Sequence, residues 1–329
     1  MVTINRFNIF AKNSDDIETL VIGHIDTVQP SKSWTKNPII PEIIKDNLYG
    51  LGSTDMKSGI AVMLQTAISK KLKPNIAFLF YIDEEYKFIG IKKFIDNYSN
   101  KLKPKQIISL DGLELSICNG CRGLIKLNII VKGKSAHAAT PKEGINAITQ
   151  TYLLIQNLIN WINKFNKSRL GQSSTNIAYI NGGQYKELDS NNNLILGKQG
   201  NIIPDICQFV LEIRPNNTNI NGNSVSKFIK NQCQQLNLVI YEIKICEDYK
   251  QWFTPKNRLF YLNNLNLDYK KIDTTGFIDI QMLWEKFNKI PCFTIGAGEQ
   301  SKAHSSDEYI NIQKLIKLQE IVNQILTIN

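Results

Sequence analysis

Histidine and arginine are both scarce in this 329-residue chain, which has only three histidines and draws its positive charge almost entirely from lysine. Only five of the 39 basic residues are arginine, and the lysines are scattered along the chain instead of forming one block. Nucleic-acid-binding proteins usually concentrate basic residues on one face and use arginine to read bases and phosphates. We therefore interpret the net charge of +10 as solvated lysine, and we expect no nucleic-acid partner.

Long apolar segments and a secretory leader are also missing from the sequence. The strongest apolar run, at residues 76–82, is far shorter than the ~20 residues that span a bilayer. The first ten residues lack the basic segment, apolar core and cleavage site of a signal peptide. We expect a cytoplasmic protein with no membrane partner. Six cysteines in no regular framework fit reduced thiols, and the single CxxC at 118–121 lacks the second pair that a structural zinc site needs.

The order of apolar segments predicts two kinds of structure along the chain. In residues 1–115, strand-like runs alternate with helix-like runs, which is typical of an α/β sheet covered by helices. Between residues 116 and 247 the predicted order becomes βαββαβ, which indicates an independent α+β unit. We therefore predict a mixed-sheet α/β domain made of residues 1–115 and 248–329, interrupted by an α+β domain at 116–247.

Histidine and acidic residues stand where several predicted strands end. His24 and Asp26 lie two apart, so they can face one side, with the carboxylate supporting an imidazole that binds a metal. Asp55 stands at the mouth of a predicted helix, where it is either the N-cap or a metal ligand. Taken singly, each of these residues is weak evidence for a site.

The acids at 83–85 end the most apolar strand, and such a run is costly to place together unless a cation holds it. Asp111 ends the next predicted strand, and His304 follows the last one. Acids and histidines at one edge of an α/β sheet mark the place where a site is expected.

In this order the motifs are specific. HID at 24–26, GSTDMKSG at 52–59, DEE at 83–85, Asp111-Gly112 and His304 before DEY at 307–309 resemble the zinc-dependent aminoacylase and carboxypeptidase family. Its members include acetylornithine deacetylase, succinyl-diaminopimelate desuccinylase and dipeptidases. The resemblance implies two Zn²⁺ ions, with Co²⁺ or Mn²⁺ as possible substitutes. It assigns the site as follows: His24 and Asp111 on one zinc, Glu85 and His304 on the other, Asp55 bridging both, Glu84 as general base and Asp26 supporting His24.

The inserted α+β unit resembles the lid and dimerisation domain of the same family. His137, in KGKSAHAA at 132–139, matches a lid histidine that stabilises the oxyanion in the partner subunit. The chain departs from the family at 276–279, where GFID replaces a Gly-Thr loop, and at Gln300, which replaces a frequent asparagine. Substrate-contacting positions of the family are matched by Arg122, Asn201, Arg214, Gly276 and Gln300.

The implied activity is metal-dependent hydrolysis of the amide bond of an N-acyl amino acid, as in the deacetylases and desuccinylases of amino-acid biosynthesis. The implied assembly is a homodimer formed through the lid domain. A dipeptidase or carboxypeptidase, favoured by Asp111-Gly112, and a carrier-linked lysine or ornithine hydrolase remain alternatives with the same metal site. A nonenzymatic binding protein is disfavoured because a relic that only binds metal would tolerate the loss of Glu84.

Overall fold

The computed structural model of the protein describes residues 1–69, 71–165, 167–190, 193–271 and 276–328. The chain divides into two compact units. Unit 1 is drawn from Met1–Gly120, Trp252–Ile272 and Ile278–Asn329, and unit 2 from Cys121–Gln251 and Asp273–Phe277. The chain therefore passes between the units after residues 120 and 251, whereas the sequence placed these boundaries after 115 and 247.

The secondary structure comprises strands, helices and a few short turns. The strands are β1 Val2–Ile4, β2 Asn8–Lys12, β3 Thr19–His24, β4 Glu42–Ile44, β5 Asn47–Tyr49, β6 Ile76–Tyr81, β7 Gln106–Ser109, β8 Gly120–Cys121, β9 Leu124–Lys132, β10 Ser174–Leu188, β11 Leu194–Gly197, β12 Ile206–Arg214, β13 Val239–Tyr249, β14 Trp252–Phe253, β15 Cys292–Thr294 and β16 Tyr309–Asn311. The helices are α1 Ser58–Ala67, α2 Ile89–Tyr98, α3 Ala147–Asn163, α4 Gly222–Gln235, α5 Ile280–Lys286 and α6 Ile312–Leu326, with further non-α helical segments at Ser53–Lys57, Pro141–Glu143 and Lys256–Leu265.

Unit 1 is built on a six-stranded sheet of order β1-β2-β6-β3-β7-β15. The four strands β6, β3, β7 and β15 run parallel, and β1 and β2 add an antiparallel edge. Strand β3 lies between β6 and β7, so the carboxyl ends of these three strands meet at one edge of the sheet. A second, antiparallel sheet of order β16-β5-β4 brings the segment after His304 next to the segment before Asp55.

Helices cover both faces of the main sheet in unit 1. Strand residues alternate between faces, and Val21 and Phe78 pack with Met63 of α1 and Leu318 of α6 in one apolar cluster. On the opposite face, Phe10 of β2 contacts Phe94 of α2 with ring centroids 5.3 Å apart. Helix α5 packs beside α2 and against β7 and β15 on that face. Strands β3 and β6 are thus buried on both sides, which explains why they read as near-continuous apolar runs.

Unit 2 is an antiparallel sheet of order β11-β10-β12-β9-β13 with α3 and α4 on one face. Alternate residues of β9 and β12, including Ile125, Leu127 and Phe209, are buried against Leu154 of α3 and Ile229 of α4. The other face of these strands mixes polar residues such as Asn128 and Gln208 with apolar ones such as Ile130. Asn146 and Asn221 cap α3 and α4, with side-chain oxygens that accept backbone N–H groups of the first turn.

The mixed α/β fold predicted from the sequence is confirmed. The strands β1 and β2 and the β10–β11 hairpin were not predicted, so the inserted unit has one strand more than the βαββαβ order. None of the described helices combines the length and apolar character of a bilayer-spanning segment.

Candidate metal centre

A glycine and a tight turn bring Asp55 to the end of β3. A Cβ atom on Gly23 would lie 2.6 Å from Cε of Met56, so glycine at this position lets Met56 pack directly against the strand. The His24 backbone N–H donates to Met56 Sδ at 3.2 Å. Gly52 has φ of 78°, a left-handed conformation that glycine adopts without strain, and it starts the turn Ser53–Lys57. The turn thereby places Asp55 beside His24.

The predicted N-cap role of Asp55 is wrong, because α1 begins at Ser58 and its N-cap residue is Lys57. Asp55 lies in the segment before the helix and has an extended backbone conformation. Its side chain contacts the imidazole of His24 and does not cap the helix. The ligand interpretation is therefore the one that the geometry supports.

The acidic run after β6 splits into one structural acid and two site acids. Asp83 adopts a left-handed φ of 68°, and its carboxylate accepts the Ile89 N–H at the start of α2 at 3.2 Å. The Asp26 carboxylate accepts the backbone N–H groups of Glu84 and Glu85 at 3.3 and 3.2 Å. Asp26 therefore fixes the backbone from which both glutamates extend.

Two imidazoles and two carboxylates meet at this edge of the sheet. Asp55 contacts a different histidine with each oxygen: Oδ1 lies 3.2 Å from His24 Nε2, and Oδ2 lies 3.2 Å from His304 Nε2. Glu85 Oε1 lies 3.0 Å from His304 Nε2. Ligand atoms of His24, Asp55 and Glu85 lie within 4.8 Å of one another. One carboxylate facing two imidazoles has the arrangement of a bridging ligand.

The two histidines differ in their access to water. His24 is completely buried, whereas the side chain of His304 is 53% exposed. The ring of His24 lies on the same side of the sheet as Tyr81, with centroids 6.4 Å apart. His24 Nδ1 lies 3.1 Å from the backbone oxygen of Asp26 and 3.6 Å from its carboxylate. His24 Nδ1 therefore has two neighbours on Asp26: the peptide oxygen is the nearer one, and the carboxylate that the sequence suggested lies within ion-pair distance.

The electrostatics of the protein chain alone show an excess of negative charge. Burial, together with the charge of Asp55, raises the pKa of Asp111 to about 7. Burial also raises the pKa of Glu84 well above its usual value, and the neighbouring charge of Asp279 adds to the effect. Hydrogen bonds with Asp55 and Glu85 raise the pKa of His304 to about 10. Burial, together with the repulsion of neighbouring negative charges, thus favours the protonated form of Asp111 and Glu84.

The donor set fits divalent zinc. Imidazole nitrogen and carboxylate oxygen are zinc ligands, and the contacts of the two Asp55 oxygens with different histidines suit a carboxylate shared between two ions. A cation bound here would also offset the charge that raises the pKa of Asp111 and Glu84. His24, Asp55, Glu85, Asp111 and His304 are the residues that would hold the metal.

Four predicted site residues of unit 2, the substrate contacts Arg122, Arg214 and Asn201 together with His137, form two pairs at opposite ends of its sheet. Arg122 donates to Gln172 O and Ser174 Oγ at 3.0 and 3.3 Å, and Ser174 pairs with Arg214 across the β10–β12 ladder. At the other end, the Ala138 N–H donates to Asn201 O at 2.9 Å, next to His137. The nine-residue strand β9 separates the two ends by about 26 Å at ~3.3 Å per residue.

The side chains in these pairs have different surroundings. Arg214 is paired with Glu212 at 2.9 Å. His137 is exposed, and its Nδ1 accepts the Ala139 N–H at 3.1 Å. A neutral imidazole that accepts at Nδ1 carries its proton on Nε2.

The last two predicted contact residues are exposed. Gly276 has no heavy atom within 4 Å of an ideal Cβ position. The backbone N–H of Gln300 donates to Glu114 Oε1 at 2.9 Å. This hydrogen bond does not use the side-chain amide of Gln300.

Two residues near the centre escaped the sequence prediction. Asp279 is completely buried at the start of α5, and burial raises its pKa to about 6. Glu308 is 2% exposed, and it accepts the N–H groups of Gly52, Thr54 and Asp55 at 2.8, 2.9 and 3.0 Å. Both lie inside motifs that were noted for other residues. A single sequence does not show which acidic residues are buried. Only the positions of Asp279 and Glu308 within these motifs could have suggested a role for them.

The fold and the ligand cluster define an enzyme of the metallohydrolase class. The sequence profile of "Peptidase family M20/M25/M40" matches residues 20–327, and the chain belongs to this family.

Relatives and solved structures agree with this assignment. Acetylornithine deacetylase of Buchnera aphidicola subsp. Schizaphis graminum is 27% identical over 98% of this chain and 84% of its own. Succinyl-diaminopimelate desuccinylase of Pelagibacter ubique is 28% identical over 92% and 80%. The crystal structure of a tripeptidase from Staphylococcus aureus aligns with a TM-score of 0.74 at 21% identity, over 97% of this chain and 83% of that one. The last likeness shows the fold alone.

Proposed function

We propose that the protein is a cytoplasmic, dinuclear zinc hydrolase that cleaves the amide bond of an N-acyl amino acid. The observation that carries the proposal is Asp55, whose two oxygens contact His24 and His304 while Glu84 and Glu85 extend from the neighbouring strand. Its relatives named for N-acyl substrates span nearly the whole chain, which supports a deacetylase or desuccinylase.

Glu84 is the general base in this proposal. Its backbone N–H is held by Asp26, and burial raises the pKa of its carboxyl, as suits a group that takes and returns protons. The Glu84 carboxylate accepts a proton from the attacking water and passes it to the nitrogen of the leaving amine. When bound, the two zinc ions polarise the scissile carbonyl and make water a stronger acid.

His137 stabilises the negative charge that develops on the carbonyl oxygen. Because its Nδ1 accepts the Ala139 N–H, its Nε2 is left with the proton to donate. A donor held in place before the reaction stabilises the transition state without reorganisation.

In the proposed dimer, one substrate molecule contacts one of the two residue pairs of unit 2 in one chain and the other pair in the second chain. The pair Arg122 and Arg214 and the pair His137 and Asn201 lie at opposite ends of β9, too far apart for one small substrate to contact both in the same chain. Substrate bound by all four residues therefore requires two copies. The arginines suit the carboxylate of an amino acid because a guanidinium can form two parallel hydrogen bonds with it.

The proposed dimer contact is the open edge of β10 with the adjoining face of α3. Among the described residues, 174–181 have a ladder partner on the β12 side only. Ile148 and Tyr152 on α3 are 38% and 60% exposed, and Ile180 on β10 is 50% exposed. Such an edge with exposed apolar neighbours is a template for strand pairing.

Turnover of a substrate panel tests the proposed reaction. We expect zinc- or cobalt-loaded protein to hydrolyse N-acetylornithine or N-succinyl-diaminopimelate faster than dipeptides. The Glu85→Gln variant, which lacks a proposed ligand, serves as the inactive control. The proposal would be contradicted if the loaded protein hydrolysed none of the substrates in the panel.

A dipeptidase or carboxypeptidase is the second candidate. Asp111-Gly112 favours it, since an aspartate at this position resembles the peptidase branches of the family. Faster turnover of dipeptides than of acyl amino acids in the same panel would select this candidate. A carrier-linked lysine or ornithine hydrolase would instead leave both free substrate classes uncleaved while a carrier-attached one is hydrolysed.

Mixing two inactive variants tests whether His137 acts across the dimer. We expect His137→Ala and Glu84→Gln each to be inactive, and their co-refolded mixture to recover part of the activity, because one site of a mixed dimer keeps both groups. Ile180→Lys should yield a monomer with low activity in size-exclusion and light-scattering measurements. Ile316→Lys, which is equally exposed on α6, is the matched control and should stay dimeric. A mixture without recovered activity would place His137 in its own chain's reaction.

A further inference from the structure

We propose that Glu308 is a positioning residue that joins the turn presenting Asp55 to the segment carrying His304, and so sets the spacing of the metal ligands. The inference rests on the proposed metal centre. It concerns a residue that touches neither substrate nor metal.

The Glu308 carboxylate is bound almost entirely by the turn around Asp55. Oε2 accepts the Gly52 N–H, and Oε1 accepts the N–H groups of both Thr54 and Asp55. These three donors point into one buried oxygen pair, and hydrogen bonds to a charged acceptor are stronger than neutral ones. The backbone of Asp55 is therefore held from Glu308, not from α1, which begins only at Ser58.

Neighbouring contacts of the same segment hold the same turn. The Gly50 N–H donates to the backbone oxygen of Glu308 at 3.0 Å, and Thr54 Oγ1 donates to the backbone oxygen of Tyr309 at 2.5 Å. Tyr309 in turn pairs with Tyr49 in the β16–β5 ladder. The chain on both sides of Gly50 is thus fixed to the strand that begins next to Glu308.

Glu308 also lies four residues after His304, so one short segment determines the positions of two proposed ligands. The distance of 3.2 Å between Asp55 Oδ2 and His304 Nε2 depends on this link. Moving the turn by a fraction of an ångström would move Asp55 away from His304, and these are two of the residues that would hold the metal.

Asp307 provides a matched control in the same segment. Its carboxylate also accepts three hydrogen bonds, from Thr35 N, Lys36 N and Thr35 Oγ1 at 2.9, 3.1 and 2.7 Å. These bonds hold the loop at 35–36 and not the turn of Asp55. Asp307→Asn therefore perturbs the His304 segment without releasing Asp55.

The experiment is Co²⁺ titration of full-length Glu308→Gln, followed by calorimetry and by the visible absorption of the bound ion. In the variant, an amide NH₂ must face a backbone N–H, so the turn shifts. We expect the weaker of two Co²⁺ affinities to fall about 10–100-fold, as for other residues that orient metal ligands, with an altered cobalt spectrum. Asp307→Asn should stay close to wild type in both readouts.

Three outcomes separate the claims. Equal losses in Glu308→Gln and Asp307→Asn, or wild-type affinity and spectrum in Glu308→Gln, overturn the role of Glu308 while leaving the metal centre intact. A wild-type protein that binds no Co²⁺ overturns the proposed function itself. If Glu308→Gln does not fold, Glu308→Asp is the variant to measure, because its side chain is one methylene shorter and its carboxylate lies farther from the turn. Weakened Co²⁺ binding in Glu308→Asp supports the role of Glu308, and unchanged binding contradicts it.

Discussion

Glu84→Gln should lower kcat by about 10²–10⁴-fold, the usual contribution of a positioned general base. The amide keeps the size of the side chain but cannot accept a proton from water. Because Glu84 is not a proposed metal ligand, the variant should bind zinc and substrate as the wild type does, with KM little changed. Steady-state kinetics on the best substrate of the panel, with zinc content measured on the same samples, provide the comparison.

Asp83→Asn is the matched control for this variant. Asp83 belongs to the same acidic run, but its carboxylate accepts the Ile89 N–H at the start of α2. We expect lower thermal stability with most of kcat retained. A Glu84→Gln variant that keeps wild-type kcat would contradict the assignment, as would one that loses its zinc, because the loss of rate would then have a different cause.

Asp55→Ala should abolish activity because it removes both carboxylate oxygens that are proposed to bind the metal ions. Each oxygen of Asp55 lies 3.2 Å from a different histidine, so one substitution affects both halves of the centre. Hydrogen bonds with His24 and His304 outweigh the effect of burial and hold the pKa of Asp55 below its usual value, which keeps it ionised at neutral pH. We expect zinc content to fall sharply and kcat to reach background.

Asp96→Ala, an exposed acid on α2, is the control for a general loss of charge and should retain both zinc and activity. Titrating the Asp55→Ala protein with excess zinc separates weak binding from lost chemistry. Recovery of wild-type kcat at high zinc would contradict a bridging role and would make Asp55 a ligand of one ion only.

The sequence alone indicated a site where several strands end, and the ligand roles within it stay predictions. His24, Glu85 and Asp111 stand at or within a few residues of the ends of apolar runs, and the parallel order of β6, β3 and β7 brings such ends together. The sequence also singled out His304 and Asp55, which lie on turns, and the resemblance gave them their predicted ligand roles. The structure places His304 and Asp55 in contact, as that order of motifs implied.

The rest depended on tertiary packing that one sequence does not display. Gly23 packs against Met56, thirty-three residues later, and Glu308 binds backbone groups more than 250 residues away. The N-cap interpretation of Asp55 was wrong because α1 begins three residues later, at Ser58, and the backbone of Asp55 is extended. The division of the unit 2 residues into two distant pairs required the register of β9, β10 and β12.

Metal content of the purified protein tests the central claim most directly. After dialysis against zinc and then buffer, elemental analysis should find about two zinc ions per chain, as expected for two sites of imidazole and carboxylate ligands. The content should fall in His24→Ala and in His304→Ala, and it should fall further in Asp55→Ala. A folded wild-type protein that retains no zinc, or one whose zinc is unaffected by all three substitutions, would contradict the account.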